Sequence, residues 1–199
     1  SYGIEVRKQN IPIRQTLELY RSAVSCLTEI YEQVWEELEY FPVPDSTLKD
    51  TVAVSFENTW QAERTYGGKR KHEGCDLIPE KEESGYYPVI SMTDGTVERA
   101  GWLEKGGWRI GIRSDNGNYY YYAHLESYVG DWKEGDQVQA GDLLGYMGDS
   151  GYGPEGTTGQ FPVHLHVGIY MPLGVEDELA INPYWMLKYL EEKKVKWDY

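Results

Sequence analysis

From Asp50 onward the chain breaks into short apolar or alternating runs punctuated by Gly, Asn and Asp, a texture that antiparallel strands produce and helical bundles do not. Trp108–Arg113 and Tyr119–Leu125 flank Asp115, Asn116 and Gly117, whose tolerance of positive φ predicts a hairpin. The stretches YPVISMTDGTVERAG and VQAGDLLGYMGDSG look alike in kind, each setting a tight glycine turn beside an apolar strand. Helical signals sit only at the ends. Ile13, Leu17, Tyr20, Val24, Leu27, Tyr31, Val34 and Leu38 recur at intervals of four and three, which predicts a long amphipathic helix stopped by Pro42 and Pro44. Its stripe would dock on the chain's own body or pair with a second copy or a partner helix through residues 13–38. Asn182 and Pro183 predict the start of a short terminal helix reaching about Leu190. The fold class is therefore α+β: an antiparallel β-sheet core, a long N-terminal amphipathic helix and a short C-terminal one. The expected domains are a helical segment over 1–45 and a β-rich domain over 46–199.

At 199 residues the chain is long enough to bury a core, and 40% of it is apolar. Nineteen basic against 33 acidic side chains leave a net charge of −14, which repels phosphate backbones and argues against nucleic acid as a partner. No apolar run approaches the roughly 18 residues of a membrane span, and no signal peptide is visible. The sequence begins at Ser1, so an export signal or anchor is expected to lie outside it. Cys26 and Cys75 lack the spacing of a thiolate metal site and read as buried free thiols, with a single bridge between them as the lesser alternative.

The chemistry gathers at four histidines, His72, His124, His164 and His166. His164-Leu165-His166 lies in an apolar run that reads as a strand, so its period of two sends both imidazoles to one face. His72 and Asp76 stand an even interval apart in HEGCD, where Gly74 disfavours helix and an extended backbone again aims both groups one way. Imidazole and carboxylate suit Zn²⁺, and three protein ligands with an open fourth position describe a catalytic zinc site. The remaining imidazoles are free to serve a reaction. Alternation along Tyr119–Tyr122 places Tyr120 and Tyr122 on the face of His124 as candidate walls of the site. Trp60 and Arg64 precede the first ligand and are candidates to border a groove, and the glycine-rich segment from Gly148 to Gly159 reads as a rim beside the HxH strand.

From about Thr59 to Pro183 the chain resembles the lysostaphin-type, or LytM-like, zinc metallopeptidases. Its motifs are HxxxD at His72 and Asp76, Tyr-x-His-Leu at Tyr122, His124 and Leu125, the Gly-Asp run from Gly135 to Asp142, and HxH at His164 and His166. The resemblance implies a duplicated barrel-sandwich β fold, zinc held by His72, Asp76 and His166, and catalytic action by His124 and His164 beside the metal. Which of the two is acid and which base stays open. It further implies an extracytoplasmic endopeptidase that hydrolyses peptide cross-links or bridges of bacterial peptidoglycan. For such a substrate Tyr120, Tyr122 and Arg64, placed by alternation and position, are the candidate contacts. A non-catalytic wall-binding or scaffold module on the same fold is the alternative, and an intact set of site residues argues against it.

Overall fold

The computed structural model describes residues 13–48, 53–65, 68–173 and 178–199. The chain divides into two compact units, Ser1–Trp35 and Glu36–Tyr199. Helix α1 (Ile13–Glu37) opens the described chain. An amphipathic helix with a covered stripe is not supported there. Leu17, Tyr20, Val24 and Tyr31 of the expected stripe are exposed, as is Leu19 outside it. A periodic stripe signals a face that would gain from cover, and sequence spacing cannot supply the cover. The single chain likewise supports no homodimer through this helix.

The second unit is a β structure. In chain order its strands are β1 (Asp45–Ser46), β2 (Val54–Phe56), β3 (Glu63–Arg64), β4 (Arg70–Lys71), β5 (Cys75–Pro79), β6 (Pro88–Ile90) and β7 (Gly95–Leu103). They continue as β8 (Gly107–Arg113), β9 (Tyr119–Tyr128), β10 (Gln137–Val138), β11 (Leu143–Met147), β12 (Leu165–Pro172) and β13 (Glu178–Ile181), followed by helix α2 (Tyr184–Leu190) and β14 (Lys196–Trp197). The main sheet runs β10-β7-β8-β9-β12-β5-β2, with β13 added on β12 and β11 joining β6 to β9. Every pairing in it is antiparallel. The hairpin expected around Asp115 is β8–β9, and the terminal helix is α2, whose Met186, Leu187 and Leu190 close the core.

The two look-alike stretches pair with each other: β6 with β11, and β10 with β7. The run Gly135–Asp142 holds the same turn twice over. Asp136 N–H donates to Lys133 O at 3.1 Å and Asp142 N–H to Gln139 O at 3.0 Å. In each turn the aspartate carboxylate takes the N–H of the first residue at 2.8 Å. Gly135 and Gly141 supply φ of +95° and +90°, which the third position of a type II turn demands. This motif is a scaffold device that fixes the ends of β10.

Strand alternation sorts the central strands. Leu77, Leu165, Val167 and Ile169 face the core, whereas Asp76 and His166 face outward. Each large side chain fully withdrawn from water contributes about 1.5–3 kcal/mol, so a register slip that exposed this set would be prohibitive. Cys75 is a buried free thiol; the Cys26 side chain lies outside the described residues. On the inner side Glu37, the last residue of α1, accepts hydrogen bonds from Ser114 Oγ, Asn118 Nδ2 and Tyr120 Oη at 2.8, 2.9 and 2.7 Å.

Candidate metal centre and groove

β12 lies between β9 and β5, and its register sets His166 directly opposite Asp76 on one side and Ala123 on the other. Two donors thus meet across neighbouring strands on the outward face. His72, just after β4, supplies the third. Its Nε2 lies 3.1 Å from His166 Nδ1 and 3.1 Å from Asp76 Oδ1, and the last two atoms are 2.9 Å apart. A tetrahedral ion with ligands at roughly 2.0–2.1 Å needs donors about 3.3 Å apart, so this near-equilateral triangle fits one small cation capping it. His72 Nδ1 is within 3.2 Å of Thr59 O and 3.0 Å of Thr59 Oγ1, contacts that can hold an Nδ1–H and so free Nε2 to bind an ion when one is present.

The remaining carboxylate oxygen, Asp76 Oδ2, accepts from Arg64 Nη2 at 2.5 Å. Burial alone would raise the Asp76 carboxyl. Hydrogen bonds from His166 and His72 and the field of the nearby imidazoles outweigh it and hold the group well below the usual carboxylate range. Burial lowers His166, partly offset by the same carboxylate. Gly74 makes the His166 position available. A Cβ at residue 74 would fall 2.4 Å from His166 Cε1 and 2.7 Å from Val167 O, and neither the ligand nor the strand backbone can yield. Gly74→Ala is therefore expected to displace the imidazole and lower metal affinity by about 10- to 100-fold, the range seen when a ligand loses its support; competition with a zinc indicator measures it.

His164 and His124 stand beside the triangle. His164 Nδ1 donates to Pro162 O at 2.8 Å and its Nε2 lies 3.9 Å from Asp76 Oδ1. His124 Nδ1 donates to Ser150 O at 2.8 Å. Each ring is thereby fixed in the tautomer that leaves Nε2 as an acceptor, and the two ring centroids are 4.7 Å apart. Burial, followed by the neighbouring His164 and His166, pushes the His124 imidazole down to about 3, so it stands neutral.

The structure corrects the expected tyrosine walls. Tyr120 and Tyr122 are fully buried on the core face; Tyr120 donates to Glu37, and Tyr122 Oη accepts from Met92 N. The cause is a bulge. Trp108 pairs with Leu125 and Ile110 with Tyr122, so Ala123 and His124 together oppose Arg109 alone, and His124 takes φ of +64°. Parity changes at that step, and Tyr119, Tyr121 and Ala123 line the groove with His124 in place of Tyr120 and Tyr122. Arg64 lines it too, although its guanidinium is engaged by Asp76. Trp60 is not among the lining residues, whereas Tyr152 from the expected glycine-rich rim is. The groove has a volume of about 680 Å³, and its lining includes the aromatic rings of Tyr119, Tyr121, Tyr152, Phe161 and Tyr170 and the cationic side chains of Arg64 and Arg70. Residue type, spacing and the motif order together pointed to His72, Asp76 and His166. Thr59, Ser150 and Tyr121 carry no local signal that would single them out.

The model of peptidase family M23 matches residues 70–183. L-Ala–D-Glu endopeptidase of Bacillus subtilis (strain 168) is 43% identical over 146 residues, covering 72% of this chain and 41% of that protein. Glycyl-glycine endopeptidase ALE-1 of Staphylococcus capitis is 37% identical over 67 residues, covering 33% of this chain and 18% of its own length. A solved structure from Ruminococcus gnavus, assigned as a glycyl-glycine endopeptidase LytM, superposes with a TM-score of 0.77 at 57% identity, covering 83% of this chain and 65% of that one. The chain thus spans under half the length of these curated relatives and just under two thirds of the solved one.

Proposed function

The chain belongs to peptidase family M23, and from that premise we propose that it is a zinc-dependent endopeptidase acting outside the cytoplasm on peptide cross-links or bridges of bacterial peptidoglycan. One observation carries the reading: three donors converge within 2.9–3.1 Å on the outer face of the sheet, with two acceptor nitrogens beside them and an open groove in front. His72, Asp76 and His166 would hold the metal. Two imidazoles and a carboxylate in a tetrahedral arrangement favour zinc over the oxygen-seeking cations. Zinc held there would supply a water of pKa near 7 and polarise the scissile carbonyl.

The chain's own groups do the rest. Arg64 and Thr59 fix the orientation of Asp76 and His72, as outer partners of ligands do. His124 and His164 both present an unprotonated Nε2 beside the donor triangle, where either can accept a proton and, once protonated, donate a hydrogen bond to developing charge. Tyr121, whose ring meets His166 edge-on with centroids 6.0 Å apart, and Tyr119 offer the substrate an apolar floor. The complete set of ligands and imidazoles counts against a non-catalytic scaffold. Among the described residues no helix is long and apolar enough to cross a membrane.

The test offers cross-linked muropeptides, a peptide containing an L-Ala–D-Glu bond, and pentaglycine to the zinc-loaded protein, with products read by mass spectrometry. Cleavage should stop with 1,10-phenanthroline and return with added Zn²⁺. Intact peptides throughout would remove the proposal.

A further inference from the structure

Two arginines of the β3–β4 pair line the groove, and among the described residues only one of them has a carboxylate partner. Arg64 and Arg70 are directly paired across the two strands, a placement that is unfavourable for like charges unless something offsets it. Asp76 offsets Arg64. Arg70 has no carboxylate partner among the described residues: its Nη2 donates to Tyr152 Oη at 3.0 Å, and its buried Nε has no hydrogen-bond partner. Carboxylates are not scarce in a chain with 33 acidic side chains against 19 basic ones. Of the three that line the groove, Asp76 holds Arg64, Glu178 pairs with Arg113 at 2.7 Å, and Glu73 forms no ion pair with Arg70 among the described residues. The sealed Nε is out of a ligand's reach, but the side chain is half-buried and lines the groove, so its guanidinium end presents an uncompensated charge to whatever enters.

Building on the endopeptidase reading, we propose that Arg70 receives a free carboxylate of the substrate, so that the groove selects an acidic stem peptide over an uncharged glycine bridge. The guanidinium fork matches a carboxylate in a way that no neutral backbone group does. The position is right for a residue close to the cut bond. Tyr152, which holds Arg70, meets the His124 ring edge-on with centroids 5.9 Å apart, so the width of one tyrosine separates Arg70 from the reacting centre. Extended peptide advances about 3.3–3.6 Å per residue, which places the recognised carboxylate on a residue adjoining the scissile bond or one further on. A D-Glu residue that continues a peptide through one carboxyl keeps the other free; a glycine bridge offers none.

The experiment uses two peptides with an L-Ala–D-Glu bond that differ only in whether the free carboxyl of D-Glu is a carboxylate or a carboxamide, with pentaglycine as a third substrate. Steady-state kinetics of the zinc-loaded protein are compared with those of Arg70→Gln and Arg70→Lys, and calorimetry measures binding of the same peptides to the metal-free proteins. The wild-type chain should prefer the acid. Arg70→Gln should lose about 10- to 100-fold in kcat/KM on the acid, through KM, and several-fold less than that on the amide, while Arg70→Lys recovers part of the loss. Unchanged zinc stoichiometry in both variants shows an intact site. Equal handling of acid and amide by the wild type, an equal loss on both in Arg70→Gln, or a preference for pentaglycine would overturn the proposal. If zinc-loaded wild type cut none of the three, the endopeptidase reading would fail by itself. Calorimetry would then decide for or against Arg70 by whether acid binds more tightly than amide and loses that margin in Arg70→Gln.

Discussion

Asp76→Ala is expected to empty the metal site and to reduce peptide cleavage by about 1,000-fold or more, the scale at which an enzyme loses the activation of its nucleophile. Asp76 is the anionic member of the donor triangle, and its two oxygens do different work: Oδ1 faces His72 and His166, and Oδ2 holds Arg64. Removing it leaves two neutral imidazoles to bind a dication and sets a second uncompensated guanidinium beside Arg70. Metal analysis after gel filtration, together with a cleavage assay, checks both effects. A variant that retained one zinc per chain would contradict the assignment. Asp76→Asn separates the contributions, since it keeps the shape and removes the charge. It should bind metal weakly and remain inactive at trace zinc.

The second large effect divides metal binding from turnover. His124→Asn and His164→Ala should each keep the metal and lower kcat by about 100- to 10,000-fold, the usual worth of a positioned acid or base. Asparagine is chosen at residue 124 because the backbone there holds φ of +64°, which Asn tolerates better than Ala, so the change tests chemistry and not strain. The prediction rests on geometry: His124 and His164 are pinned through Nδ1 to Ser150 and Pro162 and are not needed to complete the triangle. Loss of zinc in either variant would move that residue into the ligand set.

Part of the candidate site was legible through one simple rule. His164 and His166 flank a core-facing Leu165, so alternation aims them together, whereas His72 and Asp76 stand on either side of a bend at Gly74 and meet through that bend. The same rule failed for Tyr120 and Tyr122, and the failure is local. An extra residue at Ala123 and His124 inverts the parity of β9, and His124 enters the left-handed region without a glycine to announce it. The two turns around Gly135 and Gly141 were visible as a motif, although what they do became clear only from the pairing of β10 with β7. The stripe from Leu17 to Tyr31 repeats at helical spacing, yet a long amphipathic helix is not supported there, because spacing shows which residues share a face and not what would cover it. Arg64 and Arg70 look equivalent in the sequence; cross-strand register and one carboxylate make them different.

Glu37 limits how this protein can be trimmed. Its carboxylate gathers Ser114, Asn118 and Tyr120 from the β8–β9 hairpin, the same hairpin whose second strand carries His124. A shortened version made to dispense with the exposed helical turns can begin at Glu36 and retain that clasp. One beginning at Leu38 would strip the acceptor from three donors at once, beneath the strand that carries His124.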